Sequence, residues 1–201
     1  MSSNNNLTLK CKCGAFEACF NSPPRMIFNC QCHSCVSVID NIESKPEKFT
    51  GTSMKCDNDE SGGAAIAIYK SNNTTITKSD KESIGLMKVG DQGKMARSYC
   101  TKCGTVLFNV YLPNWCAVNR NALVKEDGEA YVPEGEVMNV NCKSAFDVSK
   151  VKGPKHNSVP FRMLLKFIPL LAGFGAGGSN TDESVTPEDI SKVEVSPITW
   201  E

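Results

Sequence analysis

Before residue 150 the apolar residues recur mostly at every second position. Leu7, Leu9 and Cys11 fall on one face of a first strand, and Phe16, Ala18 and Phe20 on one face of a second. The turn sequence NSPPR then leads into MIFN. Further strands are predicted at 64–69, 74–77, 96–99, 106–111, 115–119 and 137–140, with Gly, Asn, Asp and Pro between them. No long helical periodicity interrupts this series, so the crossover helices that a parallel sheet needs are not foreseen. The pattern predicts a mainly β domain of antiparallel sheets, without internal repeats.

After Lys150 the pattern changes. A loop-like VKGPKHNSVP precedes Phe161, Leu164, Leu165, Ile168 and Leu171, whose spacing is that of one face of a helix. Pro169 should interrupt it, and Arg162 and Lys166 lie within it. The apolar run is well short of the roughly 20 residues needed to span a bilayer. This short C-terminal helical extension either packs on the sheet domain or offers its apolar face to a membrane surface or a partner. A Gly-rich linker, AGFGAGGSN, follows. From Ser179 onward six acids face the single base Lys192, and Thr186 and Pro187 are placed to cap a short helix in a solvated acidic tail. The organisation expected is a domain over 1–150, helix and linker over 151–178, and tail over 179–201.

A length of 201 residues suits one domain with an appendage. The 22 basic and 22 acidic side chains cancel, so no whole-chain field points to nucleic acid, and any partner must be recognised locally. Eleven cysteines, an odd number, stand out. The leading MSSNNNLTLK has no basic region followed by an apolar stretch, so a reducing, cytoplasmic setting is expected, where clustered cysteines serve as metal ligands or reactive thiols. The sequons at Asn6, Asn72 and Asn73 would then be idle.

Seven of the cysteines fall into three clusters: CKCG (Cys11, Cys13), CQCHSC (Cys30, Cys32, Cys35) and CTKCG (Cys100, Cys103). Two thiols two apart on a strand project from one face, and the CTKCG spacing is that of a knuckle; Gly14 and Gly104 let each backbone close with positive φ. Two such clips make one closed four-cysteine zinc site that staples residue 11 to residue 103. The middle cluster supplies three thiols and leaves a metal one ligand short, which is the mark of a catalytic zinc. A structural site closed by His33, Cys19, Cys56, Cys116 or Cys142 is the alternative. Cys56 and Cys116 otherwise read as ordinary buried thiols.

With CKCGAF, CQCHSC and ARSYCTKCGTVLF in that order over roughly residues 7–148, the chain resembles the glutathione-dependent formaldehyde-activating enzyme family, which includes centromere protein V. The resemblance implies a β-tent zinc-binding fold. It also implies a structural zinc on Cys11, Cys13, Cys100 and Cys103 and a catalytic-type zinc on Cys30, Cys32 and Cys35. The activity implied is that of a carbon–sulfur lyase interconverting glutathione plus formaldehyde with S-hydroxymethylglutathione. The chain departs from the family after the middle cluster, where Val36, Ser37, Val38 and Ile39 replace the usual basic and small residues.

On this reading His33, inside the cluster, is the economical general acid–base, and Arg97 is placed to hold a carboxylate of a glutathione-like substrate by a bidentate fork. Specificity would lie in the loops 43–63 and 112–114. The expected ligand is a small-molecule thiol adduct, with no nucleic acid, no transmembrane segment and a possible homodimer. A non-catalytic zinc-binding protein-interaction module is the competing reading, and a thiol redox or metal-buffer protein a third.

Overall fold

In the computed structural model Leu7, Leu9, Phe16, Ala18 and Phe20 all point inward, as their period of two requires. The structure describes residues 6–45, 49–56, 63–89, 97–111, 114–145, 147–171 and 195–198. The chain is mainly β. Among the described residues twelve strands run in the order β1 (Leu7–Lys10), β2 (Phe16–Phe20), β3 (Met26–Cys30), β4 (Ala64–Lys70), β5 (Thr74–Ser79), β6 (Ile84–Val89), β7 (Arg97–Cys100), β8 (Phe108–Tyr111), β9 (Trp115–Asn119), β10 (Leu123–Val124), β11 (Asn139–Val140) and β12 (Val195–Ile198). Two α-helices are described, α1 (His33–Glu43) and α2 (Phe161–Leu171), besides short 3-10 turns.

The strands form three sheets, ordered β10-β1-β2-β5, β11-β3-β4-β9-β8 and β12-β6-β7. Pairing is antiparallel except at two edges, where β11 runs parallel to β3 and β12 parallel to β6. The five-stranded sheet is covered on both faces. Ala67, Tyr69, Phe108, Cys116 and Val118 pack with the inward residues of β1 and β2. On its other face Met26, Phe28, Ile66 and Ile68 pack against Cys35, Val38, Ile39 and Ile42 of α1. Burial on both faces explains why β4 reads as an unbroken apolar run, AAIAIY, rather than as an alternation. The first core is pinned by an edge-on contact of Phe16 with Phe108, ring centres 5.7 Å apart, and by Phe20 stacked on Tyr69 at 3.9 Å. Such pairs add about 0.5–1.5 kcal/mol each beyond the area they bury.

Several features depart from the pattern-based expectation: β6 (Ile84–Val89) and β10 (Leu123–Val124) lie where no strand is foreseen, and the two parallel edges break the antiparallel scheme. α1 lies where no helix is foreseen, because Val36, Val38, Ile39 and Ile42 are β-branched and Val36-Ser37-Val38 mimics strand alternation. The residues that it packs into the core, Cys35, Val38, Ile39 and Ile42, nevertheless have helical spacing once Cys35 is counted as apolar, with Val36 and Ser37 buried beside them. Residues 195–198, expected in a solvated tail, form an edge strand in which Pro197 is tolerated because an edge need not donate on both sides. α2 runs to Leu171 with Pro169 in its last turn instead of breaking there. The AGFGAGGSN linker, the cap at Thr186 and Pro187, and parts of the loops 43–63 and 112–114 lie outside the described residues. Among the described residues no helix is long and apolar enough to cross a membrane.

Candidate metal centres

The two cysteine clips meet. Cys11 leaves the end of β1, the chain turns through Cys13 and Gly14, and it re-enters at Phe16, whose N–H donates to Cys11 Sγ at 3.2 Å. Gly14 has φ +71° and Gly104 φ +76°, the left-handed turns that their places after Cys13 and Cys103 demand. Cys13 Sγ lies 3.5 Å from both Cys11 Sγ and Cys100 Sγ. All four ligand atoms, with Cys103, fall within 4.8 Å of one another. A tetrahedron of Zn–S bonds of about 2.3 Å has sulfur–sulfur edges of about 3.8 Å, so the group needs only slight adjustment to hold such an ion. Cys11, Cys100 and Cys103 are buried in the first core while Cys13 is exposed.

Electrostatics within the clip are uneven. Burial raises the Cys11 and Cys100 thiols above their ordinary range. Burial pushes Cys103 up as well, but hydrogen bonds from Thr105 and from Cys13 outweigh it and leave Cys103 at about 7. Thr105 Oγ1 stands 3.2 Å from Cys103 Sγ.

The second cluster sits where β3 passes into α1. Cys30 ends the strand, Cys32 occupies the cap position before the helix, and Cys35 lies in its first turn. The backbone forces the convergence: Cys35 N–H and Val36 N–H both donate to Cys32 O, at 3.0 and 3.2 Å. Cys30 Sγ donates to Cys32 Sγ at 3.4 Å, and the three ligand atoms lie within 4.8 Å of one another. The helix N-terminus adds partial positive charge beside the thiols, with no acidic residue in that turn to oppose it. Hydrogen bonds from Cys30 and Cys32 hold Cys35 well below the ordinary thiol range, helped by the Arg97 charge and by Asn109. Cys30, which donates to both others, is held firmly as a thiol. Both clusters can therefore hold a metal ion, and an all-sulfur ligand set is compatible with zinc.

Among the described residues, no fourth Cys, His, Asp or Glu joins Cys30, Cys32 and Cys35 within that distance. The four other cysteines are engaged elsewhere or set apart. Cys19 faces Thr8 and Thr77, Cys116 faces Thr74, and Cys142 donates to Asn139 O. Cys56 is buried and outside both groups. His33 is exposed on the first turn of α1, with Nδ1 3.2 Å from Ser37 Oγ one turn on, and it too stands outside the group.

Arg97 is not an open fork. Only 4% exposed, it donates through Nε to Asn109 Oδ1 and through Nη2 to Ser34 Oγ, both at 2.7 Å. This places the cation behind Cys35 rather than on the surface, in support of that thiol through Asn109. Two residues that spacing rules do not single out complete the support: Asn109 Nδ2 donates to Cys35 Sγ and Asn141 Nδ2 to Cys30 Sγ, each at 3.5 Å. Asparagines carry no spacing signature. Asn141 is marked only by its left-handed backbone, φ +60°.

The chain matches no protein-family model and no curated protein.

Proposed function

We propose that the protein is a zinc-dependent carbon–sulfur lyase of β-tent fold, acting on the adduct of a thiol such as glutathione with a small aldehyde, in the manner of S-hydroxymethylglutathione synthase. The observation that carries this reading is the three-thiol group at Cys30, Cys32 and Cys35, with no fourth ligand among the described residues and a buried cation behind it. A second zinc on Cys11, Cys13, Cys100 and Cys103 is structural, closed by four permanent ligands.

When bound at the three-thiol group, zinc supplies Lewis acidity toward a thiolate or a carbonyl-derived oxygen, the chemistry that making or breaking a C–S bond needs. The protein's own groups do the rest. Three thiolates and a dication sum to one negative charge, which the Arg97 guanidinium offsets, while Asn109 and Asn141 fix the sulfurs of Cys35 and Cys30. His33, steadied at Nδ1 by Ser37, is the acid–base that takes the hydroxyl proton of the adduct and returns a proton to the departing thiolate. In that direction the C–S bond breaks to give free thiol and aldehyde, with no net change in oxidation state. The reducing cytoplasm suits a site built from free thiols.

The test is zinc per chain before and after a mild chelator, followed by exchange spectroscopy of formaldehyde and glutathione with their adduct. One labile and one resistant zinc, with exchange accelerated by the wild type and not by Cys32→Ser, supports the lyase. Two equally resistant zincs without acceleration would give the protein a non-catalytic, interaction role instead.

A further inference from the structure

Helix α2 faces the wrong way for a helix packed on its own domain. At about 100° per residue, Phe161, Leu164, Leu165 and Ile168 fall within a single arc of roughly 100°, with Met163 on the opposite side. Met163 is buried, in the core that also holds Cys30, Cys35 and Val140. The apolar arc is turned outward: Phe161 is 72% exposed, Leu164 47%, Leu165 46% and Ile168 56%. Four large apolar side chains in one stripe form a contiguous exposed patch of the kind that marks an interaction surface.

Charge identifies what covers it. Arg162 and Lys166 are exposed and lie side by side along one flank of the stripe. The stretch from residue 143 to the end of the helix carries Lys143, Lys150, Lys152, Lys155, Arg162 and Lys166 against the single acid Asp147. The chain as a whole is neutral, so this strongly basic stretch is local. The helix itself contains no acid, and it is too short to span a bilayer. An apolar stripe beside lysine and arginine, next to a basic approach segment, has the chemistry of a helix lying in the interface of an anionic bilayer.

We infer that α2 docks the protein onto anionic lipid membranes, with Phe161, Leu164, Leu165 and Ile168 entering the headgroup–acyl boundary and the basic stretch held by lipid charge. The contact is reversible and salt-sensitive, because it rests on a few apolar side chains and on screened charges. It is independent of the lyase reading and stands or falls separately.

The experiment is co-sedimentation of the full chain with phosphatidylcholine vesicles, with and without phosphatidylserine, at low and high salt. Binding is expected to the anionic vesicles only, and it should weaken as salt is raised. Leu164→Glu and Ile168→Glu, both at exposed positions that the fold does not need, should each lower partition by about tenfold or more, the worth of one buried aliphatic side chain. Arg162→Gln with Lys166→Gln should remove most of the preference for anionic lipid, at about fivefold per charge. Equal binding to neutral vesicles, or no binding to either kind, would overturn the inference. So would a dimer in solution that Leu164→Glu dissociates, since a second copy would then be what covers the stripe.

Discussion

Arg97 and Asn109 form a buried relay to the three-thiol group: the guanidinium Nε donates to Asn109 Oδ1 at 2.7 Å, and the same amide turns its Nδ2 on Cys35 Sγ at 3.5 Å. One residue thus presents an acceptor to the cation and a donor to the sulfur. This makes the charge of Arg97 a property of the three-thiol group, although Arg97 and Cys35 are far apart in sequence.

Replacing Arg97 by Met removes the offsetting charge and the fork while keeping similar bulk. Zinc affinity at Cys30, Cys32 and Cys35 is expected to fall by about 10- to 100-fold, the usual effect of losing a supporting partner of a metal ligand. The four-cysteine site should be unaffected. Competition with a chromophoric chelator measures both. Arg97→Lys, which keeps the charge and loses the fork, should recover only part of the affinity; full recovery would mean that charge alone matters.

Cys103 closes the four-cysteine clip from the buried side, so Cys103→Ser removes a ligand that binds Cys11, Cys13 and Cys100 into one structure. Metal binding at such a site is folding free energy. The expected outcome is a loss of one zinc per chain together with several kcal/mol of stability, seen as a lower unfolding midpoint and increased proteolysis. A variant that loses the zinc but keeps its unfolding temperature would show that hydrophobic packing alone holds this end of the domain together.

The four-cysteine site is legible in the sequence because it depends on local rules: two short spacings, each followed by a glycine at positive φ. The first two strands are legible for the same reason, since Leu7, Leu9, Phe16, Ala18 and Phe20 show their inward faces by alternation, whereas β6, Ile84–Val89, is not foreseen. What escapes depends on contacts distant in sequence. Nothing near Arg97 reveals that it will be buried against Asn109 and Ser34, and nothing near Asn141 that it will meet Cys30. The parallel edge of β12 on β6 joins segments far apart along the chain, whereas composition alone points residues 195–198 toward solvent. Helix α2 shows itself by its spacing, but which face it buries is a tertiary property that Met163 decides.

Tyr69 is fully buried, stacked on Phe20, and among the described residues its hydroxyl has no hydrogen-bond partner. Desolvation also drives its titration far upward, so the hydroxyl stays neutral at all ordinary pH. A buried donor without a partner costs about 1–3 kcal/mol. Tyr69→Phe keeps the stacked ring and removes that cost, and chemical denaturation should show the variant more stable by about 1 kcal/mol. A destabilised variant would show that the hydroxyl is satisfied in solution.

Cys116 offers a pH test free of the metal ligands. Burial pushes its thiol up from 9.0 to about 12, against weaker opposing hydrogen bonds from Thr74 and Ser71. In the unfolded chain the thiol loses its proton near 9, whereas the folded protein retains it until about 12. The folded state therefore binds more protons across that window, and stability must fall as pH rises through it. Below the unfolded value the contribution is complete; above about 12 it is gone. Cys116→Ala abolishes this linkage. Denaturation midpoints at about pH 8 and about pH 10.5 should then differ less in the variant than in the wild type, whatever small cavity the substitution leaves. An equal fall in both proteins would place the alkaline sensitivity in other groups, the thiols of the two cysteine clusters first among them.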